Sequence, residues 1–330
     1  MDDRFYYSGG SVRLFTLATI ALIQEAIDLA LRGVTDVARL LSTQSNVASD
    51  GSHVDRLRHT FIDDVTNVTH FTGTLHWQQM VDSEYVVRRL SLRLPLNALV
   101  LVYNWARTTG HGSLAGCALE IYIHRLAADN RLRLKVSEYD PPTYRKPGDP
   151  RHVEFKQVSL RAGGAVQWGT SNEYTTYLEE WRDNDELTYW FPACDNFPNI
   201  DSIVKLESTT SGKKGNVAYL QVTVAKKHDI SSGHMKEMNK IFYSDDVKHT
   251  GNTEPPIFIA ICPDQESCKK FVLNTRPEVA LARKTCQVFV GYFVEVDFAI
   301  AADGPKNNIS VKPNPPPHTH FTRSKRPRES

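Results

Sequence analysis

The segment Ser113–Ala127, SLAGCALEIYIHRLA, constrains the chain more than any other. Its length and composition suit one helix that is apolar on nearly every face, and such a helix must be enclosed by the rest of the fold. In its middle stands Glu120, a carboxylate that is costly to bury unless it is paired, protonated or bound to a metal. His124, four residues further on, shares its helix face and can be its partner. A carboxylate that reaches solvent or an arginine from another element is the plainer alternative.

The chain around that helix reads as three parts. Over residues 1–104 the expectation is a small all-helical or winged-helix-like lead-in. Ile20, Ile23, Ile27 and Leu31 recur at helical spacing, Gly33 is a suitable stop, and Pro95 interrupts the apolar stretch from Tyr85 to Tyr103. Residues 105–302 read as a mixed α/β domain. NIDSIVKL from Asn199 and VAYLQVTVA from Val217, joined by SGKKGN, predict an antiparallel hairpin. IFIAIC from Ile257 and QVFVGYFVEV from Gln287 predict two more strands, with helices over 232–242 and 265–273. A weaker strand signal at Val153–Leu160 follows a proline-rich loop and reads as an insertion or edge hairpin. Residues 303–330, rich in proline and basic side chains, read as a disordered tail.

Composition narrows the function classes. The 330 residues are 41% apolar and 23% charged, the balance of a soluble globular protein. A formal net charge of +1 supplies no global field toward nucleic acid or acidic membranes, so any polyanion contact must be local. Five cysteines, two of them in apolar runs, read as buried free thiols of a reducing compartment. The start MDDRFYY lacks a cationic leader, and the run Leu14–Ile23 is too short to span a bilayer. No GxxxxGK[ST] loop, dinucleotide fingerprint or GxSxG elbow occurs, and Cys262, Cys268, His318 and His320 lack zinc spacing.

The remaining chemistry concentrates on the predicted hairpin. Asp201 stands at the head of an apolar strand. On the next strand, alternation puts Gln221 and Thr223 on one face with Tyr219, and Leu220, Val222 and Val224 on the other. One Asp, one Glu and an amide carbonyl can supply the oxygens a hard divalent cation takes. Lys226 or Lys227 could then hold a phosphate or the attacking hydroxide. The plainer alternatives are a Gln221–Thr223 cross-strand hydrogen bond and a solvated strand exit at Lys226, Lys227 and His228. Lys213–Lys214 could flank a phosphate backbone with Tyr219 or Trp190 stacking nearby, and RSKRPR in the tail could be read by nuclear import machinery.

Helix with Glu, then hairpin with Asp on its first strand and an acidic or amide residue on its second, is similar to the PD-(D/E)xK restriction-endonuclease-like core. GSLAGCALEIYIHRL, FPNIDSIV and YLQVTVAKKHDI resemble the C-terminal module of Crinkler effectors and retrotransposon hot spot proteins. FYYSGGSVRLF resembles the segment that follows the NTPase domain of those families. The resemblance implies a mixed sheet flanked by helices, with Glu120, Asp201 and Gln221 as ligands of magnesium or manganese and Lys226 or Lys227 as the cation. It implies a nuclease acting on nucleic acid, DNA before RNA, in a nucleus, with host nuclear proteins as further partners and neither a membrane nor a small-molecule cofactor. Two departures stand out: Thr223 occupies the place of the pattern's Lys, and Gln221 brings no charge. They make a catalytically inactive scaffold of the same fold the alternative.

Overall fold

The structure is a computed structural model. It describes residues 2–40, 57–62, 64, 66–73, 76–139, 156–158, 165–169, 174–192, 197, 200–206, 217–230, 232–242, 256–273 and 286–294. The expected tail and the SGKKGN turn with Lys213–Lys214 lie outside these residues.

The lead-in begins with α1 (Asp2–Ser8), α2 (Val12–Phe15), α3 (Ile20–Arg32) and α4 (Val37–Leu40). As its spacing predicts, α3 buries Ile23, Ile27 and Leu31, with Thr19 as N-cap and Gly33 as C-cap. A two-stranded antiparallel sheet, β1 (His59–Ile62) and β2 (Trp77–Met80), then interrupts the helices, so the lead-in is mostly helical rather than all-helical. The Gly9–Gly10 pair docks on the end of this sheet. Gly9 has φ +53°, and a Cβ there would lie 2.2 Å from the Asp82 carboxylate, so only glycine fits. Asp82 accepts from the Gly10 amide and pairs with His59. The apolar stretch broken at Pro95 becomes α5 (Glu84–Leu90) and α6 (Leu96–Thr109), with Pro95 at the N-cap of α6. The helix expected to be enclosed is α7 (Gly112–Ala128), with ten buried residues.

The rest builds a mixed sheet. Its strands are β3 (Leu134–Glu138), β4 (Lys156–Val158), β5 (Ala165–Gly169), β6 (Leu187–Pro192), β7 (Ser202–Lys205), β8 (Val217–Val222), β10 (Ile257–Cys262) and β12 (Gln287–Phe293). Interspersed are α8 (Tyr174–Asp183), the short β9 (Lys227–His228), α9 (Ser232–Phe242), α10 (Gln265–Lys270) and β11 (Val272–Leu273). Among the described residues the sheet has eight strands in the order β4-β3-β12-β10-β8-β7-β6-β5. β6, β7 and β8 form an antiparallel meander, whereas β8, β10 and β12 run parallel, joined through α9 and α10. β9 and β11 form a separate two-stranded parallel sheet. The expected hairpin is β7–β8, and the weak strand signal corresponds to β4 on one sheet edge.

Strand alternation gives the sheet two apolar faces. Leu220, Val222, Ile259 and Ile261 face one side, against α7 and the lead-in helices, in a cluster running from Leu14 to Phe293. Tyr219, Ile203, Phe258 and Val290 face the other, against α8, α9 and α10. The central strands β8 and β10 are buried along their whole length, as parallel strands covered on both faces must be. In the centre of β12, a Cβ on Gly291 would lie 2.8 Å from Val136 Cγ1 and 2.9 Å from the Lys135 carbonyl, so the strand needs glycine to approach β3.

Candidate functional site

Glu120 lies mid-helix in α7, against the side of the sheet where the meander begins. Its carboxylate meets the guanidinium of Arg88, from α5, in a two-pronged pair with Nη1–Oε1 at 3.1 Å and Nη2–Oε2 at 2.8 Å. His124 adds a longer contact from Nε2 to Oε1 at 3.4 Å. Burial pushes the Glu120 carboxyl up, but the His124 hydrogen bond and then the charge and hydrogen bonds of Arg88 outweigh it and hold the group at about 2. The compensation expected for a carboxylate in this helix is thus provided twice over, by the helix neighbour and by an arginine.

From His124 a hydrogen-bonded chain enters the sheet. Its Nδ1 lies 2.9 Å from the Tyr189 hydroxyl on β6, and that hydroxyl donates to Ser202 Oγ on β7 at 2.8 Å. Phe191 stacks on the imidazole with ring centroids 4.5 Å apart. Burial raises the Tyr189 hydroxyl well above its ordinary range; the Ser202 bond lowers it, while the charges of Asp201 and Glu120 raise it further.

Asp201 immediately precedes β7, opposite Gln221 across the hairpin. The antiparallel ladder stops there, and the carboxylate replaces it: Oδ2 accepts from the Val222 amide at 2.6 Å and from Gln221 Nε2 at 2.9 Å. Burial pushes the Asp201 carboxyl well above the usual carboxylate range, and the negative charge of Glu120 adds to the rise. The Val222 amide, Arg88 and Gln221 counter it only in part. Gln221, with its amide nitrogen turned to Asp201, leaves Oε1 buried and without a hydrogen-bond donor among the described residues. Such orphaned atoms are uncommon and call for an explanation.

The structure therefore brings Glu120, Asp201 and Gln221 into one electrostatic neighbourhood. Lys226 and Lys227 are exposed beyond the end of β8, and His228 is half-buried on β9. Among the described residues no contact ties these side chains to the three, so this exit matches the solvated alternative. Thr223 does not bond to Gln221; its Oγ1 accepts from the Ala225 amide and closes the local turn. Tyr219 and Trp190 are each 0% exposed and cannot stack on a base. Arg88, Tyr189 and Ser202, which complete the network, gave no sequence signal, because each is defined by contacts 13 to 65 residues distant along the chain.

As a metal centre the residues fit in part. Asp201 and Gln221 Oε1 offer a carboxylate short of positive charge and a carbonyl short of a donor, two deficits that a hard cation removes together. Glu120, with both oxygens engaged by Arg88, offers no ligand in this arrangement. Among the described residues no group of three or more His, Cys, Asp or Glu is set to hold a metal. Comparison of the chain with known protein families, with curated proteins and with solved structures finds no match.

Proposed function

We propose that the chain is a metal-dependent nuclease module with a restriction-endonuclease-like core of the Crinkler and retrotransposon hot spot type. It would hydrolyse phosphodiester bonds of nucleic acid, DNA before RNA, and act in a nucleus. The observation that carries this reading is the pairing of the buried Asp201, its carboxyl pushed above the usual range, with the unsatisfied Gln221 Oε1 at the head of the hairpin. Asp201 and Gln221 would hold magnesium or manganese, which supplies an activated water and offsets charge on phosphorus. His124 and Arg88 hold the Glu120 carboxyl low, while burial and then the charge of Glu120 push that of Asp201 up. With Lys226 and Lys227 exposed, Arg88 is the described cation whose charge acts on Asp201.

The alternative, a catalytically inactive scaffold that binds nucleic acid or a host nuclear protein, is favoured by two specific features. Arg88 occupies both oxygens of Glu120, and Thr223 is spent on its own backbone turn. Incubation of purified protein with supercoiled plasmid in magnesium or manganese separates the readings. Nicking that Asp201→Asn and Gln221→Leu abolish supports the nuclease. Calorimetry showing no metal uptake, together with intact plasmid, overturns it in favour of the scaffold.

A further inference from the structure

The lead-in carries a second concentration of charge that the candidate centre does not use. A pocket of about 300 Å³ opens beside the C-terminal ends of α3 and α5, lined by Asp28, Leu31, Arg32, Arg89, Leu90 and Arg93. Arg88 and Arg89 diverge from adjacent positions of α5: Arg88 turns inward to Glu120, and Arg89 turns to this pocket. The three guanidiniums are unequally compensated. Arg89 Nε donates to Asp28 at 3.1 Å, a carboxylate that also accepts from the Tyr85 hydroxyl at 3.2 Å. Arg93 gives one nitrogen to the Val34 carbonyl. Arg32 is exposed and has no partner among the described residues.

Two helix C-termini offer roughly half a negative charge each, so with Asp28 they offset about two of the three positive charges. One guanidinium's worth of charge remains, on a wall of planar nitrogen donors and in a pocket roomy enough for a tetrahedral oxyanion with its waters. Guanidinium forks match phosphate oxygens in both geometry and charge. We propose that this pocket binds a phosphate group, either free or within a nucleic-acid backbone.

The test uses the full chain in chelator, so that metal chemistry plays no part and failure of the nuclease reading leaves it unaffected. Calorimetry with inorganic phosphate should show saturable binding. Arg32→Gln should weaken it about tenfold, the worth of one charge-assisted hydrogen bond, and Arg32→Glu should abolish it. Because Arg32 is exposed and makes no hydrogen bond or ion pair among the described residues, both variants should keep the wild-type melting temperature. In a parallel arm, a labelled duplex oligonucleotide is titrated across a range of salt. A fall of about one in the slope of log affinity against log salt for Arg32→Gln assigns the site to backbone phosphate. Unchanged duplex affinity alongside lost phosphate binding assigns it to the free anion. Absence of saturable phosphate binding by the wild type, or equal binding by Arg32→Glu, overturns the proposal.

Discussion

Arg88 and Glu120 show side chains only 23% and 17% exposed and meet through two hydrogen bonds, so removing either leaves the other charge enclosed without its partner. Because both keep some contact with water, the loss belongs at the low end for buried pairs: Glu120→Gln should destabilise the fold by about 2–3 kcal/mol in urea unfolding near neutral pH. The pH dependence follows from the depressed carboxyl. Stability contributed by Glu120 is fully present above its ordinary value of 4.5 and disappears as pH falls through about 2, a limb absent in Glu120→Gln. Asp201 has the opposite sign. Its folded-state value is raised, so its contribution is fully present below the ordinary 3.8 and is lost as pH rises through the raised value. Asp201→Asn should therefore be more stable than wild type at pH 8 in chelator, with the advantage gone near pH 4. Magnesium or manganese should raise the melting temperature of wild type and leave that of Asp201→Asn unchanged. A variant that melts below wild type at pH 8 would show that the carboxylate is already compensated.

At the level of single elements, two packing devices decide whether the sheet closes. Lys205, at the end of β7 and 8% exposed, donates to the carbonyls of Trp181, Arg182 and Asn184 and lies 4.7 Å from the Trp181 ring centroid. It caps the C-terminal end of α8, where a cation is electrostatically favoured. Lys205→Met keeps the stem but not the ammonium. Its expected cost is about 2 kcal/mol, read from denaturant midpoints, and hydrogen exchange should quicken first in α8. Gly291 is the second device. Gly291→Ala forces a methyl against Val136 and the Lys135 carbonyl and should cost about 1–3 kcal/mol, with β12 moving away from β3. An alanine variant as stable as wild type would mean that the β3–β12 pairing yields more easily than its contacts imply.

Across the whole molecule, one apolar cluster joins the lead-in to the sheet: Leu99 and Val102 of α6 and Val86 and Val87 of α5 belong to the same cluster as Leu119 of α7 and Ile259 of β10. A chain cut to residues 105–302 exposes the lead-in side of α7, a helix apolar on nearly every face. It should lack a cooperative thermal transition and bind a hydrophobic dye, whereas the full chain should unfold in a single step. Cys117, Cys262, Cys268 and Cys286 are buried, so among these thiols none should react with a bulky disulfide reagent before unfolding.

What the chain determines locally was legible in it. The helical spacing of Ile20, Ile23, Ile27 and Leu31, the apolar wrap around Glu120, and the runs IFIAIC and QVFVGYF each fix an element through its own periodicity and composition, and each is present. The β7–β8 hairpin was legible for the same reason, since strand alternation and a polar connection are properties of neighbours in sequence. β3, β6 and α8 were not read, and neither was the small β1–β2 sheet. Short strands such as LKVSE and LTYWFP gain their identity from the partners they pair with rather than from their own pattern. At the candidate site the carboxylates were visible because a charge inside an apolar run is anomalous by itself. What each carboxylate does was settled only by folding, because Arg88 reaches Glu120 from 32 residues away and Gln221 reaches Asp201 from 20. A pair's energy depends on distance and enclosure, and neither quantity exists until the chain has closed on itself.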